Sequence, residues 1–202
     1  RAHSANLTAV AQGRASNVVF LGDSITQWFQ SRAGAQVWKR SIAGLGAADE
    51  GVFGDSTNNV LWRVENGELA GQPRVVVLLI GTNNLNAGGT VAQTVAGIDD
   101  DIAAIHQVSP RTEVLLNGLF PRGRVTDPLR TEVNEVNAVL SAQASSLGVV
   151  YTDPGALLIE SNGSIAPNFH SDLIHPDARG YEIWAEAIVP TIEAMLAEST
   201  AN

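Results

Sequence analysis

The 202-residue chain contains no cysteine, one methionine, two tyrosines and a single lysine, Lys39. Without cysteine there are no disulfides, no thiolate nucleophile and no sulfur-ligated metal. A core of this size needs no disulfide staple, so the absence says little about compartment. Long apolar runs are also missing. The longest aliphatic stretch, Val75-Val76-Val77-Leu78-Leu79-Ile80, falls far short of a bilayer span, and no membrane insertion is expected. Positive charge is scarce, with 12 basic against 21 acidic residues and a net charge of −9, and the arginines are scattered. Nucleic acid is therefore not an expected partner, because phosphate binding needs clustered Lys and Arg. The acidic run Asp99-Asp100-Asp101 falls in a predicted helix, where consecutive residues point in different directions, so it reads as a solvated face rather than a cation site.

With 45% of its residues hydrophobic and 16% charged, the chain suits one compact domain over residues 1–202. It opens on Arg1 rather than methionine, so a mature form, an excised domain or a trimmed chain is expected, with upstream targeting information lost. One lysine against eleven arginines points to a compositionally biased, bacterial genome. A soluble chain, secreted or extracellular, is the expectation, with a cytoplasmic one as the alternative. Sequons at Asn6 and Asn162 would matter only in a eukaryotic secretory pathway.

Short apolar runs alternate with longer amphipathic stretches, the pattern of an α/β protein whose parallel sheet is covered by helices on both faces. Strands are expected at 18–21, 74–80, 112–120 and 149–152, with another short one between Ile42 and Val52. This is a three-layer, doubly wound (flavodoxin-like) sandwich around a central parallel sheet of about five strands. Helical periodicity covers 58–69, then 91–107 with Ile98, Ile102, Ala103 and Ile105 inward, and 129–147 with Val133, Val136, Val139 and Leu140 inward. A last helix spans 178–197, interrupted or kinked near Pro190. Trp62 and Trp184, at helical positions, read as core, and Arg63 and Arg122 as partners of neighbouring acids. The irregular segments 81–89, 121–128 and 161–177 mostly follow predicted strands and would line one rim of the sheet.

Four short motifs fall on that rim. Gly22-Asp23-Ser24 follows the first strand, placing a hydroxyl where open α/β sheets bind ligands. Ser24 also precedes a predicted helix over 25–30 and could serve as its cap. Gly54-Asp55-Ser56-Thr57 is a glycine-bearing turn before a helix. Gly81-Thr82-Asn83-Asn84 follows the central strand, where asparagine could satisfy loop backbone groups. Asp172-Leu173-Ile174-His175-Pro176 lies before the final helix, and in a turn its spacing can set the acid beside one imidazole nitrogen while the other faces outward. Of the remaining histidines, His3 lies near a terminus, His106 in a predicted helix and His170 in a loop with no clear companion, and all three read as surface residues.

In this order and on these elements, the four motifs resemble the SGNH (also called GDSL) hydrolase superfamily. Asp55 through Thr82, including Val60-Leu61-Trp62-Arg63 and Asn66-Gly67-Glu68-Leu69, and later Leu119-Phe120-Pro121-Arg122-Gly123, look like the branch of platelet-activating-factor acetylhydrolase Ib catalytic α subunits. The similarity covers most of residues 17–185. It implies a serine esterase acting on short acyl, acetyl-type O-esters with no cofactor or metal. Ser24 would be the nucleophile, His175 the general base and then acid, and Asp172 the group orienting His175. Backbone N–H groups of Ser24 and Gly54 and the Asn83 side chain would form the oxyanion hole. A serine at a helix start can fill both roles, since its own N–H points where an oxyanion would sit. The similar α subunits pair with one another, so a homodimer is also implied.

Two departures from that branch bear on substrate. Phe53 stands directly before Gly54, and Gln27 directly before Trp28, where relatives carry glycine. Asp23, Trp28, Phe53 and Asn84 are therefore candidate pocket residues, with core packing the plainer expectation for Phe53. Their bulk favours acetate, and acetylated carbohydrate or small esters are preferred over lipid because no exposed apolar helix is evident. Alternatives are a non-catalytic carbohydrate- or lipid-binding module on the same fold, or an acylhydrolase or thioesterase for longer chains. An ordinary α/β-hydrolase is disfavoured by the lack of Gly-x-Ser-x-Gly. Gly44-Leu45-Gly46 lacks the third glycine of a dinucleotide site.

Overall fold

Alternate residues of the central strands feed two separate cores. The computed structural model describes residues 16–198 together with Ser4, Leu7 and Thr8; His3 and the Asn6 sequon lie outside the described residues. Strands β1 (Val18–Gly22), β2 (Ala47–Gly51), β3 (Val75–Leu79), β4 (Glu113–Asn117) and β5 (Val150–Thr152) pair in parallel in the order β2-β1-β3-β4-β5. The main helices are α1 (Ser24–Ser31), α2 (Thr57–Glu65), α3 (Thr82–Asn86), α4 (Val91–Val108), α5 (Pro128–Leu147) and α6 (Ala178–Glu198). A helical stretch over 35–45, which passes from α- through π- to 3-10-type turns, joins α1 to β2.

On one face of the sheet, Val18, Phe20, Val75, Val77 and Leu115 pack against Phe29 of α1, Trp38, and Tyr181, Trp184 and Ile188 of α6. On the other, Val19, Leu21, Val76, Leu78 and Leu116 meet Val60 of α2, Ile98, Ile102 and Ile105 of α4, and Val136 and Leu140 of α5. The result is the expected three-layer sandwich. The chain steps outward from β1 to β2, then returns past β1 to β3. That reversal leaves a crevice beyond the carboxyl ends of β1 and β3, where Gly22 pairs in register with Leu79. Gly22 is required there, because a Cβ would collide with the Leu79 carbonyl oxygen and with Thr26 Oγ1.

Several expectations from sequence are corrected. Trp184 is fully buried and donates its indole N–H to Asn117 Oδ1 at 2.7 Å, but Trp62 is 56% exposed on the outer side of α2. Helix α2 closes at Asn66 instead of reaching Leu69. Helix α6 continues through Pro190 as one element, so of the expected interruption or kink the interruption is absent. Irregular segment 81–89 contains a helix, α3. Val139 is exposed because, at 3.6 residues per turn, it falls on the flank of the stripe centred on Val136 and Leu140. Ala103 is likewise exposed, and Ala104 takes the buried position.

The acidic run is not uniformly solvated. Asp101 lies three residues after Ile98 and four before Ile105, in the core-facing stripe of α4, and is fully buried. Its two carboxylate oxygens have no hydrogen-bond partner. Burial pushes its carboxyl up to about 9, against the opposing pull of Arg63. Asp100 is exposed and Asp99 half-buried, accepting from Gln143 Nε2 at 2.5 Å.

Candidate active site

Asp23 caps α1, because its carboxylate accepts the Ile25 N–H at 2.8 Å. Ser24 is therefore the first helical residue rather than the cap. Its N–H belongs to the first turn, whose donors have no intrahelical partner. Tyr181, buried on α6, donates its hydroxyl to the Ile25 carbonyl at 2.7 Å and fixes that turn against the sheet.

The loop before α6 brings His175 to Ser24. Ser24 Oγ lies 2.8 Å from His175 Nε2, and His175 Nδ1 lies 2.7 Å from Asp172 Oδ2. The other carboxylate oxygen of Asp172 accepts the N–H groups of Ile174 and His175 at 2.9 and 3.1 Å. Burial raises the Asp172 carboxyl, but hydrogen bonds from the His175 ring and those two backbone N–H groups outweigh it and hold Asp172 below its ordinary value. An ionised Asp172 favours the tautomer with hydrogen on Nδ1, which leaves Nε2 as an acceptor for the Ser24 hydroxyl.

A cavity of about 190 Å³ opens beside this line, walled by Asp23, Ser24, Ile25, Phe53, Gly54, Thr82, Asn83, Asn86, Ile174 and His175. Residues from all four sequence motifs meet here. Gly54 holds a φ of +83°, a conformation that favours glycine. Asn83 donates from Nδ2 to the Asp55 carbonyl at 2.8 Å and makes a longer 3.5 Å contact with Asp23 Oδ2. Phe53, a candidate pocket residue for which core packing was the plainer expectation, lines the cavity and stands 67% exposed at its mouth. Asn84 does not line the cavity: its side chain accepts from Thr57 N–H at 3.1 Å and donates to Thr57 Oγ1 at 2.8 Å, bracing the start of α2. Trp28 does not line it either, and stacks on the His175 ring instead. His170 is exposed, yet it has a companion in Trp28.

Ile25, Thr82, Asn86 and Ile174 are lining residues that the sequence reading missed. Ile25 and Ile174 each adjoin a residue already singled out, and that adjacency was the available signal. Asn86 accepts from Arg122, whose Nε also lies 3.8 Å from Asp127 Oδ2.

Beneath the cavity, Arg63 of α2 is buried among acids. Its guanidinium reaches Asp55 Oδ2 at 3.0 Å and Glu68 Oε1 at 2.9 Å, and donates to the Glu50 carbonyl at 3.0 Å. One cation thus ties the end of β2 to the Asp55 loop, whose carbonyl in turn holds Asn83. The acids outnumber it. Burial raises Glu50, with Glu68 adding to the effect, and burial raises Asp23 to about 7, with Asp55 contributing.

These raised carboxyls set how stability varies with pH. Asp23 and Asp101 keep their protons to about pH 7 and about pH 9 in the folded chain, whereas unfolded aspartates release theirs near pH 4, roughly. Between those limits the folded state binds more protons, so stability is lost as pH rises. The lowered Asp172 works in the opposite sense but is a single, largely exposed group. The thermal midpoint should fall by roughly 5–10 °C between pH 5 and pH 8 at constant ionic strength. A midpoint that climbs over that range, measured by circular dichroism, would show that these acids ionise without cost.

Among the described residues, no helix is long and apolar enough to cross a membrane, and no group of three His, Asp or Glu side chains is placed to hold a metal ion. Residues 20–183 match the GDSL-like lipase/acylhydrolase family. Platelet-activating factor acetylhydrolase IB subunit alpha1 of Rattus norvegicus is 32% identical over 194 residues, spanning 94% of this chain and 81% of that protein. A GDSL-like lipase from Bacteroides thetaiotaomicron shares the fold with a TM-score of 0.79 at 20% identity, covering 95% of this chain and 97% of its own. An acetylxylan esterase from Geobacillus stearothermophilus, a catalytic mutant, shares it with a TM-score of 0.67 at 18% identity, covering 88% and 95%. Matched across residues 20–183 and similar to that rat subunit through 94% of its length, the chain belongs to the GDSL-like lipase/acylhydrolase family and is a hydrolase.

Proposed function

We propose that the protein is a serine carboxylesterase that hydrolyses acetyl and other short O-esters through an acyl-enzyme on Ser24. The observation that carries this reading is the hydrogen-bonded line from Ser24 Oγ through His175 to Asp172, at 2.8 and 2.7 Å, opening on a small cavity. A serine hydroxyl becomes an effective nucleophile only when a neighbouring base takes its proton. His175 Nε2 accepts that proton as Oγ bonds to the ester carbonyl carbon, and Asp172 stabilises the imidazolium. Negative charge then forms on the former carbonyl oxygen, where the N–H groups of Ser24 and Gly54 and the Asn83 amide donate to it. Collapse breaks the bond to the alcohol, which leaves with the proton from His175. A water, deprotonated by the same nitrogen, attacks the acyl-enzyme and releases the carboxylic acid.

Cavity size supports a short acyl group. At about 190 Å³ it lies below the roughly 300–1,000 Å³ of sites that enclose drug-sized ligands. Ile25, Thr82 and Ile174 wall it beside Ser24, giving an acetyl methyl a small apolar seat. The similar rat protein is named an acetylhydrolase, which agrees with this preference. The alcohol portion lies toward the mouth, where the exposed Phe53 ring offers a flat apolar face to a sugar or small alcohol. Acetylated carbohydrates and small acetate esters are the favoured substrates.

A series of p-nitrophenyl esters from acetate to decanoate tests the acyl preference. Activity should be greatest with acetate and fall by about tenfold or more by octanoate, the loss of a little over 1 kcal/mol that a chain too long for its pocket brings. A maximum at octanoate or decanoate would overturn the short-acyl reading.

A further inference from the structure

Two hydrogen bonds hold the His175 ring, one to Ser24 Oγ and one to Asp172 Oδ2. Those bonds define an axis through the two ring nitrogens, and tilt about it is otherwise restrained only through the Cβ–Cγ bond, whose anchor moves with the loop. Trp28 closes that freedom. Its indole lies against the imidazole with ring centroids 4.0 Å apart and planes 19° from parallel. Trp28 also follows Ser24 by one turn of α1, so the hydroxyl and the indole present themselves on the same helix face.

The opposing loop grips the same indole twice. His170 meets it edge-on at 5.8 Å and 82°, and the loop is closed by the His170 N–H donating to the His175 carbonyl at 2.9 Å. Arg32 sets its guanidinium carbon 4.5 Å from the indole centroid. His175 already covers one face at 4.0 Å, so Arg32 occupies the other. With both faces covered, the indole is not available as a platform for substrate.

We infer that Trp28 is a positioning residue, which docks the loop carrying Asp172 and His175 onto the helix carrying Ser24 and fixes the plane of the base. This role rests on the esterase reading above. Geometry of this kind matters because a displacement of about 1 Å at reacting groups can cost on the order of a hundredfold in rate. It is also specific in how it should fail, since the stack touches the base and not the ester.

Trp28→Leu and Trp28→Phe, assayed with p-nitrophenyl acetate, test it. The leucine variant should lose about 10- to 100-fold in kcat with KM unchanged within about twofold, because only transition-state geometry is affected. The phenylalanine variant keeps an aromatic face and should recover to within about threefold of wild type. Independently of turnover, the ring protons of His175 should resonate upfield in wild type and move downfield in Trp28→Leu as the indole ring current is lost. Trp28→Met replaces the leucine variant if that chain does not fold. Wild-type kcat in the leucine variant, a loss carried by KM alone, or a phenylalanine variant no better than leucine would each overturn the positioning role. A wild-type protein with no ester turnover would instead overturn the esterase reading, and the role with it.

Discussion

Ser24→Ala should lower kcat/KM for p-nitrophenyl acetate by about a thousand- to a million-fold, the range seen when the nucleophile of a Ser-His-Asp unit is removed. The structure also indicates why the fold should survive. Asp23, rather than Ser24, caps α1, so the exchange removes no helix-capping hydrogen bond. The hydroxyl's hydrogen-bond partner is His175, a half-buried side chain that retains Asp172 on its other nitrogen. Alanine at the first helical position is otherwise favourable. Unfolding curves within about 1 kcal/mol of wild type are therefore expected beside the loss of turnover. A variant that kept substantial activity would remove Ser24 from the chemistry.

Asn83→Ala should reduce kcat by about a hundred- to a thousandfold, the typical result of deleting one donor from an oxyanion hole. The Asn83 amide has two hydrogens. One is committed to the Asp55 carbonyl at 2.8 Å, while the other meets Asp23 Oδ2 only at 3.5 Å and can be surrendered to an oxyanion. The Asp55 bond therefore orients the amide before substrate arrives, in the sense that preorganised donors cost no rearrangement during reaction. Because charge appears on the oxygen only at the tetrahedral stage, KM should change little. A variant whose defect is confined to KM would make Asn83 a substrate-binding group instead.

Much of the fold was legible because both faces of β1, β3 and β4 are buried. Continuous apolar runs such as Val75 to Leu79 mark such strands directly, and the helices between them set the parallel order. β2 was harder to delimit, since Ala47-Ala48-Asp49-Glu50-Gly51 carries no apolar run and is held as an edge by pairing with β1. The buried Asp101 was open to recognition, for its spacing from Ile98 and Ile105 places it on the inward stripe. It was obscured by the two aspartates before it. Trp62 illustrates the reverse error, since a large apolar residue in a helix need not face the core.

At the candidate site, the four motifs and the family they resemble singled out Ser24, Gly54, Asn83, Asp172 and His175 as candidates; the structure brings Ser24, Gly54, Asn83 and His175 to one cavity and sets Asp172 against His175. The partners of Trp28 were beyond local reading. Its contact with His175 spans most of the chain and exists only once the loop before α6 folds across α1. Of the two pocket candidates Phe53 and Asn84, only Phe53 lines the cavity, and the sequence could not separate them for the same reason. Each lies one residue from a proposed oxyanion donor, and only the tertiary turn decides which side chain faces the cavity and which braces α2.

Reaction with a fluorophosphonate, followed by mass spectrometry of the whole chain and its peptides, tests the central claim most directly. The probe forms a stable bond to a serine activated by a base, whereas a binding module on the same fold offers none. The account predicts one adduct per chain, located on Ser24, with ester hydrolysis lost in proportion to labelling and no adduct in Ser24→Ala. An adduct on another residue, or a wild-type chain that remains unlabelled while hydrolysing esters, would contradict it.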